Sequence, residues 1–137
     1  MSNNHKEILE KCANGNEPAK EFMLVVYEFL HLIDDLVDRD VKIPNDEEIS
    51  FSCIKLILTV GGNPFYQQHR KRLEVLLEHG FSAWCCSNRF NADKRVEGKV
   101  LKSWYHEIFW EVARLTGGWE HMRKTCTAFR EFDMIGD

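Results

Sequence analysis

The sequence is poor in the features that would narrow its chemistry quickly. Only three prolines occur in 137 residues, and the five cysteines are Cys12, Cys53, Cys85, Cys86 and Cys126. An odd count without any CxxC pair argues against a disulfide framework and a structural zinc site. The thiols read instead as small buried residues in a reducing compartment, with Cys85-Cys86 beside Trp84 as core packing. No apolar stretch approaches the roughly 20 residues that span a bilayer. No charged segment followed by an apolar one opens the chain, so secretion is not expected and a cytoplasmic location is. A basic excess is also missing: 18 Lys and Arg face 22 Asp and Glu, for a formal net charge of -4. That balance argues against broad nucleic-acid binding. His69, Arg70, Lys71 and Arg72 form the densest basic run, but no aromatic interleaves them, and they read as a solvated helix face.

What is present is globular: 44% hydrophobic, 12% aromatic and 29% charged residues, enough to bury a core in one domain. Helix punctuation is clear. Asn16-Glu17-Pro18 suits an N-cap and first turn ahead of a helix over residues 19–37. Asn45 with Glu48 three residues on resembles a capping box. Gly61-Gly62 ends that helix and Asn63-Pro64 starts the next. Apolar residues from Phe65 through Leu73, Leu76, Leu77 and Phe81 to Trp84 recur at helical steps, with Gly80 as a kink or boundary. Residues 87–98 read as a loop and the first turn of another helix. That helix carries Leu101, Trp104, Tyr105, Ile108, Phe109, Val112 and Leu115, and a last one follows Gly117-Gly118. Residues 39–43 are the one short strand candidate. The expected fold is all-α: a single-domain bundle of about five to six helices over residues 1–137, with 1–15 a candidate loosely attached N-terminal segment.

The most suggestive element is the helix over residues 19–37. On a helical wheel, Phe22, Val25, Val26, Phe29, Leu32, Ile33, Leu36 and Val37 form a core sector. His31, Asp34, Asp35 and Asp38 fall opposite, with Glu28 at the margin. Asp34 and Asp38 are one turn apart. Three carboxylates near a helix C-terminus repel one another and oppose the macrodipole, and Arg39 alone answers them. A hard cation such as Mg²⁺ or Mn²⁺ would relieve that conflict. A solvated or salt-bridged acidic face is the competing reading.

The run Asp34-Asp35-Leu36-Val37-Asp38 resembles the DDxxD motif of class I isoprenoid synthases, whose aspartates bind the Mg²⁺ that grips a substrate diphosphate. No second such motif accompanies it, and Asn91, Asp93 and Glu97 are a poor substitute, so the isoprenoid chemistry is not carried over. Glu107 and Glu111, also one turn apart, add a similarity in size and logic to all-α nucleotide pyrophosphohydrolases. Those enzymes gather acidic residues from facing helices around Mg²⁺ and cut nucleoside triphosphates. Their Glu-Glu-x-x-Glu pattern is absent, and Glu107 and Glu111 read equally as surface residues opposite their own apolar stripe. The longest resemblance joins the segment from Asp34 to Asp40 with Asn63-Pro64-Phe65-Tyr66 and Gly117-Gly118-Trp119. It is similar to small uncharacterised proteins of tailed bacteriophages, which implies a bacterial-host cytoplasm and host-directed or virion-related interactions.

Two functional expectations follow. In the first, Asp34, Asp35 and Asp38 bind Mg²⁺ or Mn²⁺ and act on a phosphorylated small molecule such as a nucleotide. His31, Glu107 or Glu111 then supplies a base, and Arg70, Arg72 or Arg123 a phosphate clamp. His106 is a further candidate base. The Gly117-Gly118 pair ahead of Arg123 is a candidate phosphate cradle, or simply a helix-helix turn. In the second, the protein is non-catalytic and binds a protein partner through an acidic and aromatic surface, with Trp110 or Trp119 as anchors.

Overall fold

The computed structural model describes residues 3–38, 44–92 and 106–136, and the side chains of 5–37, 44–87 and 106–128. Among the described residues there are six α-helices and no strand: α1 (Asn3–Ala13), α2 (Glu17–Asp38), α3 (Asp46–Gly62), α4 (Pro64–Gln68), α5 (Arg70–Ala92) and α6 (His106–Gly136). The fold is all-α, as the periodicity predicts. The strand candidate at 39–43 lies outside the described residues. The helices gather into two compact units, residues 16–68 and residues 1–15 with 69–137.

In the first unit α2 packs on α3 and α4. The Asn16 carboxamide accepts from the Ala19 N–H at 3.0 Å, the N-cap that starts α2. Its apolar face then buries Ala19, Phe22, Met23, Val25 and Val26. Phe22 stacks on Tyr66 with ring centroids 5.5 Å apart and lies 6.3 Å from Phe65. The Asn45 side chain caps α3 by accepting from the Glu48 N–H at 2.8 Å, and its amide donates to Glu48 Oε1 at 3.1 Å. Two helix ends meet at buried Asn63. Its Oδ1 accepts from the Tyr66 N–H to start α4, and its Nδ2 donates to the Pro18 carbonyl, both at 2.8 Å. Gln67 donates to the Val60 and Gly61 carbonyls, groups left without helical partners where α3 ends.

In the second unit α6 packs against both α1 and α5. Ile8, Leu9, Cys12 and Ala13 of α1 are buried. The Thr116 hydroxyl lies 2.8 Å from the Cys12 carbonyl, and Asn14 donates to the Thr116 carbonyl at 3.1 Å. The segment set apart as 1–15 thus carries core residues and a polar tie to α6. Three local expectations are corrected. The helical stripe from Phe65 to Trp84 breaks at His69, separating α4 from α5. Helix α5 runs unbroken through Gly80 and on to Ala92, so residues 87–92 are helix rather than loop. Cys85 and Cys86 are exposed: the buried stripe of α5 is Leu73, Gly80, Trp84 and Ser87, and the next positions after Trp84 rotate away from it.

Candidate functional site

The acidic cluster occupies the last five residues of α2, where no basic residue stands in the final turn. Asp34 is half-buried and Asp35 exposed, while the Asp38 side chain lies outside the described residues. His31 is exposed, its ring 4.4 Å from that of buried Tyr27. On the neighbouring turn Glu28 pairs with Lys55 of α3 at 3.0 Å. Helix α2 ends at Asp38, which places Asp34 and Asp35 in its last turns. Among the described residues no group of three or more His, Cys, Asp or Glu side chains is placed to hold a metal ion.

The remaining predicted site residues belong to the unit built on α1, α5 and α6. Glu107 is half-buried and Glu111 is buried. Glu111 is not the surface residue its wheel position suggested, because the first turns of α6 are enclosed almost all round, from Ile108 to Ala113. Its carboxylate accepts from Arg72 Nε at 3.0 Å and from Arg114 Nε at 2.9 Å, and also from Arg114 Nη2. Burial alone would raise the Glu111 pKa. The hydrogen bonds and charges of Arg114 and Arg72 outweigh it and hold the carboxyl below its ordinary value. A carboxylate so stabilised is a weak proton acceptor and a strong structural tie between α5 and α6. Arg114 was not singled out in the sequence, although its spacing of three from Glu111 was there to read. The other two proposed phosphate clamps also meet carboxylates: Arg70 pairs with Glu74 at 2.7 Å, and Arg123 with Glu120 at 3.3 Å.

The Gly117-Gly118 pair interrupts α6, as the sequence predicts: two helical stretches meet across a kink at Gly118. Gly118 has φ 87° and ψ -178°, a conformation open to glycine and costly for other residues. At Gly117 a Cβ would collide with the His121 ring, so the missing side chain is the space the imidazole fills. His121 borders an open cleft of about 440 Å³ with Glu7, Glu10, Lys11, Asn14 and Gly15. Its Nε2 is buried and has no hydrogen-bond partner among the described residues. Trp110, one of the two aromatic anchors expected, is buried, whereas Trp119 is 63% exposed.

The feature that sequence reading missed is on α3. With the described residues in place none of its residues is buried. Phe51, Ile54, Ile57 and Leu58 are exposed by 68%, 56%, 68% and 69%. They fall on one side of the helix, at steps of three, three and one. Comparison with protein-family models, curated proteins and solved structures returns no match. The surface itself is therefore what speaks for function. Four bulky apolar side chains on one helix face leave on the order of 500 Å² of apolar area in water, a patch of the size that usually marks a contact site. No helix of the described residues is long and apolar enough to cross a membrane.

Proposed function

We infer that this protein is a non-catalytic interaction component, whose α3 helix docks its apolar face onto another protein chain. The observation that carries this reading is the exposure of Phe51, Ile54, Ile57 and Leu58 on a helix that buries none of its own residues. A helix exposing so much apolar area gains more from a partner than from water. The exposed acids Asp46 and Glu47 at its N-terminal end supply a polar rim of the kind that surrounds an interface core. The direct test places a photo-cross-linking residue at Leu58 in the producing cell, with a control at exposed Lys71. A discrete adduct from Leu58 and none from Lys71 is expected. No adduct from Leu58 would refute the docking role.

A second reading is favoured by one specific observation: Asp34 and Asp35 stand in the last turns of α2 without a basic residue in the final turn. On that reading Asp34, Asp35 and Asp38 hold Mg²⁺ or Mn²⁺, and the metal grips a phosphorylated small molecule such as a nucleotide. Calorimetric titration of the wild type and of Asp34→Asn/Asp38→Asn with both metals tests it. Absence of binding at millimolar metal removes it.

A further inference from the structure

The docking face of α3 carries a clue to its occupant. An apolar face meant for a different protein commonly includes charges that select that partner, whereas a face that meets its own copy must avoid placing like charges opposite one another. Between Ile49 and Gly62, α3 has one charged residue, Lys55, and its ammonium is turned to Glu28 of the same chain at 3.0 Å. The exposed acids Asp46 and Glu47 add charge only at the N-terminal end.

We propose that the α3 faces of two copies of this chain pack against each other in an antiparallel, two-fold symmetric dimer. This rests on the reading of α3 as a docking face and adds the identity of the occupant. Helical spacing provides the register. With the crossing centred on Ile54, Phe51 of one copy reaches Ile57 and Leu58 of the other. Glu47 and Asp46 then fall opposite Gly61 and Gly62 of the second copy, which have no side chains and have open space around them. The same two glycines let the helices approach closely at each end of the contact. The area is of the right order. Two such faces cover roughly 1,000 Å² of apolar surface, about the apolar share of a standard-size interface of around 1,600 Å².

The test uses the full chain, with light scattering after size exclusion over a dilution series. The expected result is twice the chain mass of 16.1 kDa at the highest concentrations, falling on dilution. Ile54→Lys/Leu58→Lys, at two exposed positions, should run at the single-chain mass with unchanged helical circular dichroism. Ser82→Lys on α5 should leave the dimer intact. A wild type that stays at the single-chain mass on the order of 100 µM overturns the dimer. So does a dimer that survives the double lysine variant, because its interface must then lie elsewhere. Photo-cross-linking at Leu58 separates this failure from that of the docking reading. An adduct with a protein of another mass leaves docking standing and removes the second copy, and no adduct of any mass removes both.

Discussion

Arg72 of α5 donates to the buried carboxylate of Glu111 on α6 at 3.0 Å, while Arg114 grips the same carboxylate oxygen from one turn further along α6. Two residues chosen from the sequence for catalysis and phosphate binding are thus bound to each other. Their bond joins residues 39 positions apart in the chain.

Glu111→Gln should therefore act on stability. Removing the charge weakens three charge-assisted contacts, with an expected loss of about 1–3 kcal/mol in urea unfolding at neutral pH. The loss stays below that of a fully buried pair because the Arg72 and Arg114 side chains are 62% and 38% exposed and remain solvated when released. The pH dependence follows from the lowered pKa. A carboxyl held below its ordinary 4.5 contributes stability that is fully present above that value and is lost as pH falls through the folded value. The gap between wild type and variant should narrow below pH 4.5. Unfolding curves at pH 7, 4.5 and 3 check this, and a constant gap would contradict it.

Asn63 ties together α2, α3 and α4. It is buried and makes one bond as acceptor and one as donor. Asn63→Ala removes both and leaves the Pro18 carbonyl and the Tyr66 N–H without these partners, at an expected cost of about 2–3 kcal/mol. Asn63→Asp keeps the cap to Tyr66 but loses the donor to Pro18 and brings a carboxylate against a carbonyl. It should lie between wild type and Ala if the cap is the larger part, and below Ala if burying the new charge dominates. Chemical denaturation of the three proteins orders them.

The helix starts were legible because caps are local chemistry. Asn16, Asn45 and Asn63 each sit where a side-chain oxygen meets an N–H two or three residues on, and that needs no tertiary knowledge. The position of Asp34 and Asp35 in the last turns of α2 was legible for the same reason. Which face of a helix is buried depends on its neighbours, and there the wheel misled. Glu111 lies off the apolar stripe yet is enclosed, because α6 is covered on more than one side. Cys85 and Cys86 follow Trp84 in sequence but point away from its side of α5. On α3 the warning was present: Ile49, Phe51, Ile54, Leu56, Ile57, Leu58 and Val60 are too many apolar residues for one narrow stripe, so some had to remain outside. Direction, unlike periodicity, is set by the partner.

The kink at Gly118 and the tight spot at Gly117 make distinct predictions. Gly118→Ala must hold a Cβ at φ 87°, and a loss of about 1–3 kcal/mol is expected. Gly117→Ala fails for another reason, the collision with the His121 ring. Its penalty should shrink in a His121→Ala background, which removes the ring but keeps a Cβ 2.8 Å away, whereas that of Gly118→Ala should not change. A double-mutant cycle by thermal unfolding measures both couplings. Equal coupling of His121 to the two glycines would show that the imidazole does not fill the space at Gly117.

The end of α2 supplies the last prediction. Asp35 is exposed, one residue from Asp34, in a helix end where the macrodipole disfavours negative charge. Asp35→Lys reverses the sign at that end and breaks up the like-charge cluster. A gain of about 0.3–1 kcal/mol in unfolding free energy at low ionic strength is expected, shrinking in salt. A loss would show that Asp35 is held by a positive partner and that the cluster is not a source of strain. The same variant bears on the metal reading. If Asp34, Asp35 and Asp38 hold Mg²⁺, millimolar Mg²⁺ raises the melting temperature of the wild type by mass action on the folded state, and Asp35→Lys loses that response. If the cluster only faces water, Mg²⁺ leaves both proteins unchanged while the stability gain of Asp35→Lys remains. Thermal melts of the two proteins with and without the metal therefore separate helix-end repulsion from ligand binding at the same three carboxylates.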